Sequence, residues 1–258
     1  MLKKRIIPKF LLRDGRLVKY VRFFEQEREA GNPISTARVY NDYGADEFII
    51  LDIAPSESSR QGVLESVAKM SEQIFMPFTV GGGVRTLGHI NDLLRSGADK
   101  ISINTQSVRE PGFVKTAAQS FGDQCIAVSI DYKEFAPGVF RVFANGGREK
   151  TPYEPVEWAQ RMQDMNCGEI LITSIDRDGT LSGYDIDMVM RLNEVLDIPL
   201  VVSGGCGGLQ HCIDAFDAGA SAVGISSLFL FTDHSPIKLR SHLVSNGINV
   251  RASSSSRN

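Results

Sequence analysis

Met76-Pro-Phe-Thr-Val-Gly-Gly-Gly83 and Ile198-Pro-Leu-Val-Val-Ser-Gly-Gly205 say nearly the same thing, 122 residues apart. Each is an apolar run of β type that breaks into small residues. About fifteen residues later each is followed by a Gly-Ala pair, Gly97-Ala98 and Gly219-Ala220. A second short strand pattern follows each pair, Lys100-Ile-Ser-Ile-Asn-Thr105 and Ala222-Val-Gly-Ile-Ser-Ser227. The repeat extends upstream. Ala45-Asp-Glu-Phe-Ile-Ile-Leu-Asp52 aligns at the same offset with Cys167-Gly-Glu-Ile-Leu-Ile-Thr-Ser174, and Lys4-Arg-Ile-Ile-Pro-Lys-Phe-Leu11 aligns with Gln124-Cys-Ile-Ala-Val-Ser-Ile-Asp131 at an offset of 120. Four strand patterns per half make eight. Between them lie helix-length segments with apolar residues at helical spacing, such as Val63, Val67, Met70 and Ile74. Alternating β and α with right-handed crossovers gives a parallel sheet. Eight strands in 258 residues fit a closed (β/α)8 TIM barrel made of two homologous half-barrels, about residues 1–120 and 121–251. A doubly wound open sheet is the runner-up. It has one switch-point crevice and explains two glycine sites less well.

Composition agrees with one α/β domain over residues 1–251. Hydrophobic residues make up 42% and charged residues 23%, enough for a large core. A net charge of -3 offers no basic face to nucleic acid or an anionic membrane. No 18-residue apolar run and no signal-peptide pattern is present, which predicts a cytoplasmic protein. Cys125, Cys167, Cys206 and Cys212 are scattered and expected to be reduced, interior thiols. The four histidines lack ligand spacing, so neither a metal nor another cofactor is expected. The tail, residues 252–258, is polar and expected to be disordered.

In such a barrel the chemistry sits where strands end and βα loops begin. The strands are expected to end near Leu11-Leu12, Asp52, Gly81 to Gly83, Asn104-Thr105, Asp131, Thr173-Ser174, Ser203 to Gly205 and Ser226-Ser227. A strand that ends in small residues before a helix lets backbone N–H groups converge on a phosphate. A single glycine run can be no more than a tight turn. Two at matched positions predict two phosphate cradles and a substrate with a phosphate at each end. Asp52 and Asp178, taken singly, would also serve as helix caps. Asp131 ends the apolar run Ile126-Ala-Val-Ser-Ile130, where a carboxylate is costly without a task or partner. At the opposite mouth Arg5, Glu47, Lys100 and Glu169 each start a strand. Facing inward, they would form a ring of alternating charge, either a stability plug or a gate.

Lys4-Arg-Ile-Ile-Pro8, Asp14-Gly-Arg-Leu-Val-Lys19, Gly97-Ala-Asp-Lys-Ile-Ser-Ile-Asn104 and Gly168-Glu-Ile-Leu-Ile-Thr-Ser-Ile-Asp-Arg-Asp-Gly-Thr180, with Ser203-Gly-Gly205, resemble the cyclase (HisF-type) subunit of imidazole glycerol phosphate synthase. The resemblance runs from residue 1 to Arg251. It implies a lyase of histidine biosynthesis that forms a heterodimer with a glutaminase (HisH-type) subunit at the N-terminal barrel face. Ammonia would enter there, cross the barrel and react with a two-phosphate ribulosyl aminoimidazole carboxamide nucleotide. The products would be imidazole glycerol phosphate and an aminoimidazole carboxamide ribonucleotide. It further implies an ammonia gate at Arg5, Glu47, Lys100 and Glu169 and a partner contact at Asp99. Substrate binding would fall to Lys19 of the first loop, Asp52, Gly82, Gly83, Asn104 and Thr105 in one half, and Thr173, Asp178, Gly179, Ser203, Gly204, Gly205, Ser226 and Ser227 in the other.

Of the family's two catalytic aspartates, one matches Asp131 and the other falls on Leu11, which can neither give nor take a proton. This departure suggests a diverged second copy. If the first strand alternates, Arg5, Ile7, Lys9 and Leu11 all face the interior. Lys9 then needs a partner, for which Asp131 and Ser129 are candidates. Alternatively Pro8 makes a strand irregularity and turns Lys9 elsewhere. Tyr20, where the family prefers glycine, is expected to stiffen the first loop. Three functions remain in view. The first is the cyclase subunit itself, with Asp14, Asp52 or Asp178 covering for Leu11. The second is a diverged paralogue that channels ammonia to a sugar amidotransferase of surface-polysaccharide (lipopolysaccharide) biosynthesis. The third is a single-chain sugar-phosphate isomerase, against which Leu11 and the charged ring argue.

Overall fold

A computed structural model describes residues 3–251 of the chain; the polar tail read at 252–258 lies outside them. Twelve strands follow in chain order: β1 (Arg5–Arg13), β2 (Arg16–Val21), β3 (Glu25–Gly31), β4 (Phe48–Asp52), β5 (Phe78–Gly81), β6 (Lys100–Ile103), β7 (Ile126–Ala136), β8 (Val139–Ala144), β9 (Glu149–Lys150), β10 (Glu169–Ser174), β11 (Leu200–Ser203) and β12 (Ala222–Ile225). Eight of them, β1, β4, β5, β6, β7, β10, β11 and β12, pair in parallel around a closed ring. The ring closes where Arg5 to Pro8 of β1 lie beside Ala222 to Ile225 of β12. Helices between the staves wrap the outside. This is the expected (β/α)8 barrel, and the open sheet is excluded.

The helices form where a capping residue meets an apolar stripe. In Leu87–Arg95 the Thr86 hydroxyl caps His89 N–H while Ile90 and Leu93 bury against the sheet. The main core lies between staves and helices. A second, smaller core fills the barrel: Ile7, Ile49, Leu171, Val201 and Ala222 form one apolar layer. The half-barrel symmetry is visible in matched bonds. The Asn41 side-chain carbonyl accepts from Phe75 and Met76 N–H, and the Gln163 carbonyl, 122 residues on, accepts from Asp197 and Ile198 N–H.

Two staves run past their expected ends, and four strands lie outside the ring. β1 continues beyond Leu12 and turns at Asp14-Gly15, both left-handed, into the antiparallel β2 and β3. β7 continues beyond Asp131 to Ala136 and returns as β8 and β9. Antiparallel pairing satisfies the backbone groups of these excursions with no barrel neighbour. Both rise from the C-terminal mouth. Among the cysteines, Cys167, Cys206 and Cys212 are buried free thiols, whereas Cys125 is only half-buried, a correction to the all-interior expectation. Among the described residues no helix is long and apolar enough to cross a membrane.

Candidate functional site

Two adjoining cavities at the C-terminal mouth each contain one of the glycine cradles. The larger encloses about 440 Å³ and is lined by Lys9, Leu11, Lys19, Asp178, Gly179, Ser203, Gly204, Gly205, Ser226 and Ser227. The smaller, about 170 Å³, is lined by Asp52, Gly82, Gly83, Asn104 and Thr105. Asp131, Leu51, Ile53, Gly146 and Arg148 belong to both walls. The two cradles match in detail. Gly82 and Gly204 both have positive φ, and a Cβ would strike the Asp52 carbonyl oxygen at 2.1 Å or that of Ser174 at 2.6 Å. Asn104 Oδ1 and Ser226 Oγ, again 122 residues apart, are buried polar atoms without a protein partner. Each therefore has hydrogen-bonding capacity to give a ligand.

Asp131 sits at the shared wall. Asn104 Nδ2 donates to it at 2.9 Å, and Thr173 lies opposite it in the register of β7 and β10. Burial raises its carboxyl from 3.8 to about 6, aided by the Asp178 charge and opposed by Lys9. Such a group changes protonation close to neutral pH, as a general acid or base should. Burial also raises Asp52, whose carboxylate accepts from Ala54 N–H at 3.0 Å. Lys19 Nζ holds both oxygens of Asp178, at 2.9 and 2.7 Å. That pair ties β2 to the loop after β10. Gly179 fits there because a side chain would meet the Tyr20 carbonyl oxygen at 2.6 Å. Tyr20 braces the ribbon, accepting from Arg13 at 2.7 Å and donating to Glu27.

At the opposite mouth the four charged residues close a ring. Arg5 reaches Glu47 at 2.7 Å and Glu169 at 2.5 Å. Lys100 reaches the same two carboxylates at 3.1 and 3.2 Å. Burial alone would raise the Glu47 carboxyl, but Arg5 and Lys100 together hold it below its ordinary value. Asp99 is exposed on this rim, where its carboxylate accepts from Phe78 N–H at 2.9 Å.

The family model described as "Histidine biosynthesis protein" matches residues 5–235. The chain belongs to this family. It is 44% identical over 252 residues to the imidazole glycerol phosphate synthase subunit HisF of Alkaliphilus metalliredigens (strain QYMF), which covers 97% of the chain and 100% of the relative. The chain is thus a HisF-type cyclase subunit by family.

Against that background the first stave of this HisF-type chain stands out. Pro8 does not turn Lys9 aside. β1 pairs with β12 as far as Pro8 and with β4 from Lys9 onward, so the inward alternation survives. Lys9 is buried and points into the barrel. Its partners, however, are the hydroxyls of Thr173 at 2.9 Å and Ser203 at 3.1 Å. The expected direct contact with Asp131 or Ser129 does not form; Thr173, which accepts from Lys9, instead stands between them as the residue opposite Asp131 in the β7–β10 register. Thr173 itself is fully buried behind these two side chains and lines neither cavity. Leu11 is half-buried beside Leu51 on the wall facing Asp131. Three cations escaped the sequence reading: Arg85, Arg109 and Arg148 line the smaller cavity. Their signal was weak, since each lies in or beside a polar surface segment. Arg148 follows the Asn145-Gly-Gly147 turn and stacks on Phe24 of the first excursion.

Proposed function

We propose that this HisF-type subunit joins ammonia to a two-phosphate ribulosyl aminoimidazole carboxamide nucleotide at the C-terminal mouth, forming imidazole glycerol phosphate and the aminoimidazole carboxamide ribonucleotide. The observation that carries the reading is the pair of matched cradles opening on either side of Asp131. Gly204, Gly205, Ser226 and Ser227 would hold one phosphate, with Gly82, Gly83, Asn104 and Thr105 holding the other. Arg85, Arg109 and Arg148 supply positive potential on the second side. Asp131 would move the proton at the reacting centre between them.

Ammonia would come from a glutaminase-type partner docked on the N-terminal rim. There Asp99 and Phe75 are both exposed. The ring of Arg5, Glu47, Lys100 and Glu169 would act as the gate. Beyond it, the apolar layer of Ile7, Ile49, Leu171, Val201 and Ala222 favours a small neutral molecule over an ion.

Leu11 favours a second reading, in which the same barrel delivers ammonia to another acceptor, such as a sugar amidotransferase. The two separate in a reconstitution with glutamine, a glutaminase-type subunit and the two-phosphate substrate. Imidazole glycerol phosphate is the expected product. Glutamine hydrolysis stimulated by this chain without that product would replace the first reading with the second.

A further inference from the structure

Of the four cations that face the barrel interior, Arg5, Lys9, Lys19 and Lys100, Lys9 alone has no carboxylate within ion-pair distance among the described residues: Arg5 and Lys100 pair with Glu47 and Glu169, and Lys19 pairs with Asp178. Its Nζ instead rests on two neutral hydroxyls and lines the larger cavity beside the Ser203-Gly205 cradle. Hydroxyl partners solvate an ammonium but do not neutralise it, so deprotonation is cheaper here than in an ion pair. Asp131 lines the same cavity and is the register neighbour of Thr173, and Leu11 and Leu51 give the neighbouring wall an apolar surface.

We infer that Lys9 is a nucleophile that forms a Schiff base with the open-chain carbonyl of a phosphorylated ketose bound in the larger cavity. The Lys9 ammonium first gives a proton to the Asp131 carboxylate through the Thr173 hydroxyl. The free amine then adds to the carbonyl carbon, and the second nitrogen proton moves to the carbonyl oxygen to give a carbinolamine. The Asp131 carboxylic acid returns its proton to the departing hydroxyl, which leaves as water. The protonated imine remains, and Asp131 is again a carboxylate. Burial lowers the Lys9 amine below its ordinary value and raises Asp131, so the two approach each other and the first transfer is made easier. This assignment deepens the function proposed above and rests on it for the ribulosyl class of substrate. Ammonia adding to the iminium carbon would expel the Lys9 amine and leave a substrate imine, a transimination that bypasses the acid–base partner missing at Leu11.

The test uses the whole chain with ribulose 5-phosphate and sodium cyanoborohydride, read by intact mass and peptide mapping. The expected result is one reduced sugar-phosphate adduct per chain, on the peptide containing Lys9. It should be absent in Lys9→Met, suppressed by excess inorganic phosphate, and at least tenfold slower in Asp131→Asn. No adduct on Lys9 in the unmutated chain, or labelling spread over surface lysines, overturns the inference whether or not Lys9→Met folds. The cradle reading is checked separately by the rise in melting temperature with inorganic phosphate. A rise without an adduct removes the Lys9 role alone; neither signal removes both.

Discussion

Asp131→Asn should stabilise the fold at neutral pH while removing the proposed proton-transfer group. Burial raises the folded-state carboxyl from 3.8 to about 6. The unfolded chain therefore loses this proton first as pH rises, and an ionised Asp131 penalises the fold above about pH 6. The penalty fades as pH falls from about 6 towards 3.8, where both states hold the proton. At about 1.4 kcal/mol per pH unit, it reaches roughly 3 kcal/mol near pH 7.5 and roughly 1 kcal/mol near pH 4.5. Asparagine copies the neutral form. Its amide can pair with Asn104, whose Oδ1 has no partner now. Urea denaturation followed by circular dichroism at the two pH values should show a gain of roughly 3 kcal/mol at the higher and about 1 kcal/mol at the lower, as upper bounds. A loss of stability of similar size at both would refute the reasoning. It would mean that the carboxylate is a structural ion held by Lys9 and Thr173, not a desolvated acid.

The charged ring makes a contrasting case. Arg5→Met leaves Glu47 and Glu169 with Lys100 alone and should cost about 3–5 kcal/mol at neutral pH. Glu47 is held below its ordinary value, so its contribution is present above pH 4.5 and fades as pH falls through the folded-state value; the Arg5→Met deficit in urea should shrink on acidification. Among the glycines, Gly82→Ala should abolish soluble expression or cost several kcal/mol, because its Cβ would stand 2.1 Å from a backbone oxygen. Gly15→Ala, at a left-handed turn with nothing within 4 Å, should cost only about 1 kcal/mol in thermal melts. Lys19→Met leaves buried Asp178 unpaired and should release the first excursion, seen as faster proteolytic cleavage between β1 and β3.

The eight staves were legible because each is an apolar run that stops at small or polar residues, and because the repeat, at offsets of 120 and 122 residues, checks each against its twin. The excursions were not. Asp14-Gly15 is a sound hairpin turn, but β3 reads Glu25-Gln-Glu-Arg-Glu29, with no apolar alternation, and pairs only with β2. The charged ring was readable because Arg5, Lys100 and Glu169 begin strands and Glu47 directly precedes one. Lys9 was readable as inward-facing, yet its partners were not. Which inward residues meet across a barrel depends on the stagger of the staves, and stagger is absent from any one strand's sequence. That stagger sets Lys9 against Thr173 and Ser203 and not against Asp131. Arg85, Arg109 and Arg148 look like solvated surface charge until the loops fold over the mouth.

The central claim is that this mouth still performs ammonia-dependent cyclisation with one aspartate and Lys9. It is tested most directly with the purified chain alone, concentrated ammonium salt and the two-phosphate substrate, beside Leu11→Asp. The account predicts measurable turnover by the unmutated chain that is lost in both Asp131→Asn and Lys9→Met. Leu11→Asp should turn over faster, by at most the roughly 10²–10⁴-fold that one general acid or base supplies. Substrate binding without turnover in the unmutated chain, with activity appearing only in Leu11→Asp, would contradict it and leave ammonia delivery to another acceptor as the function.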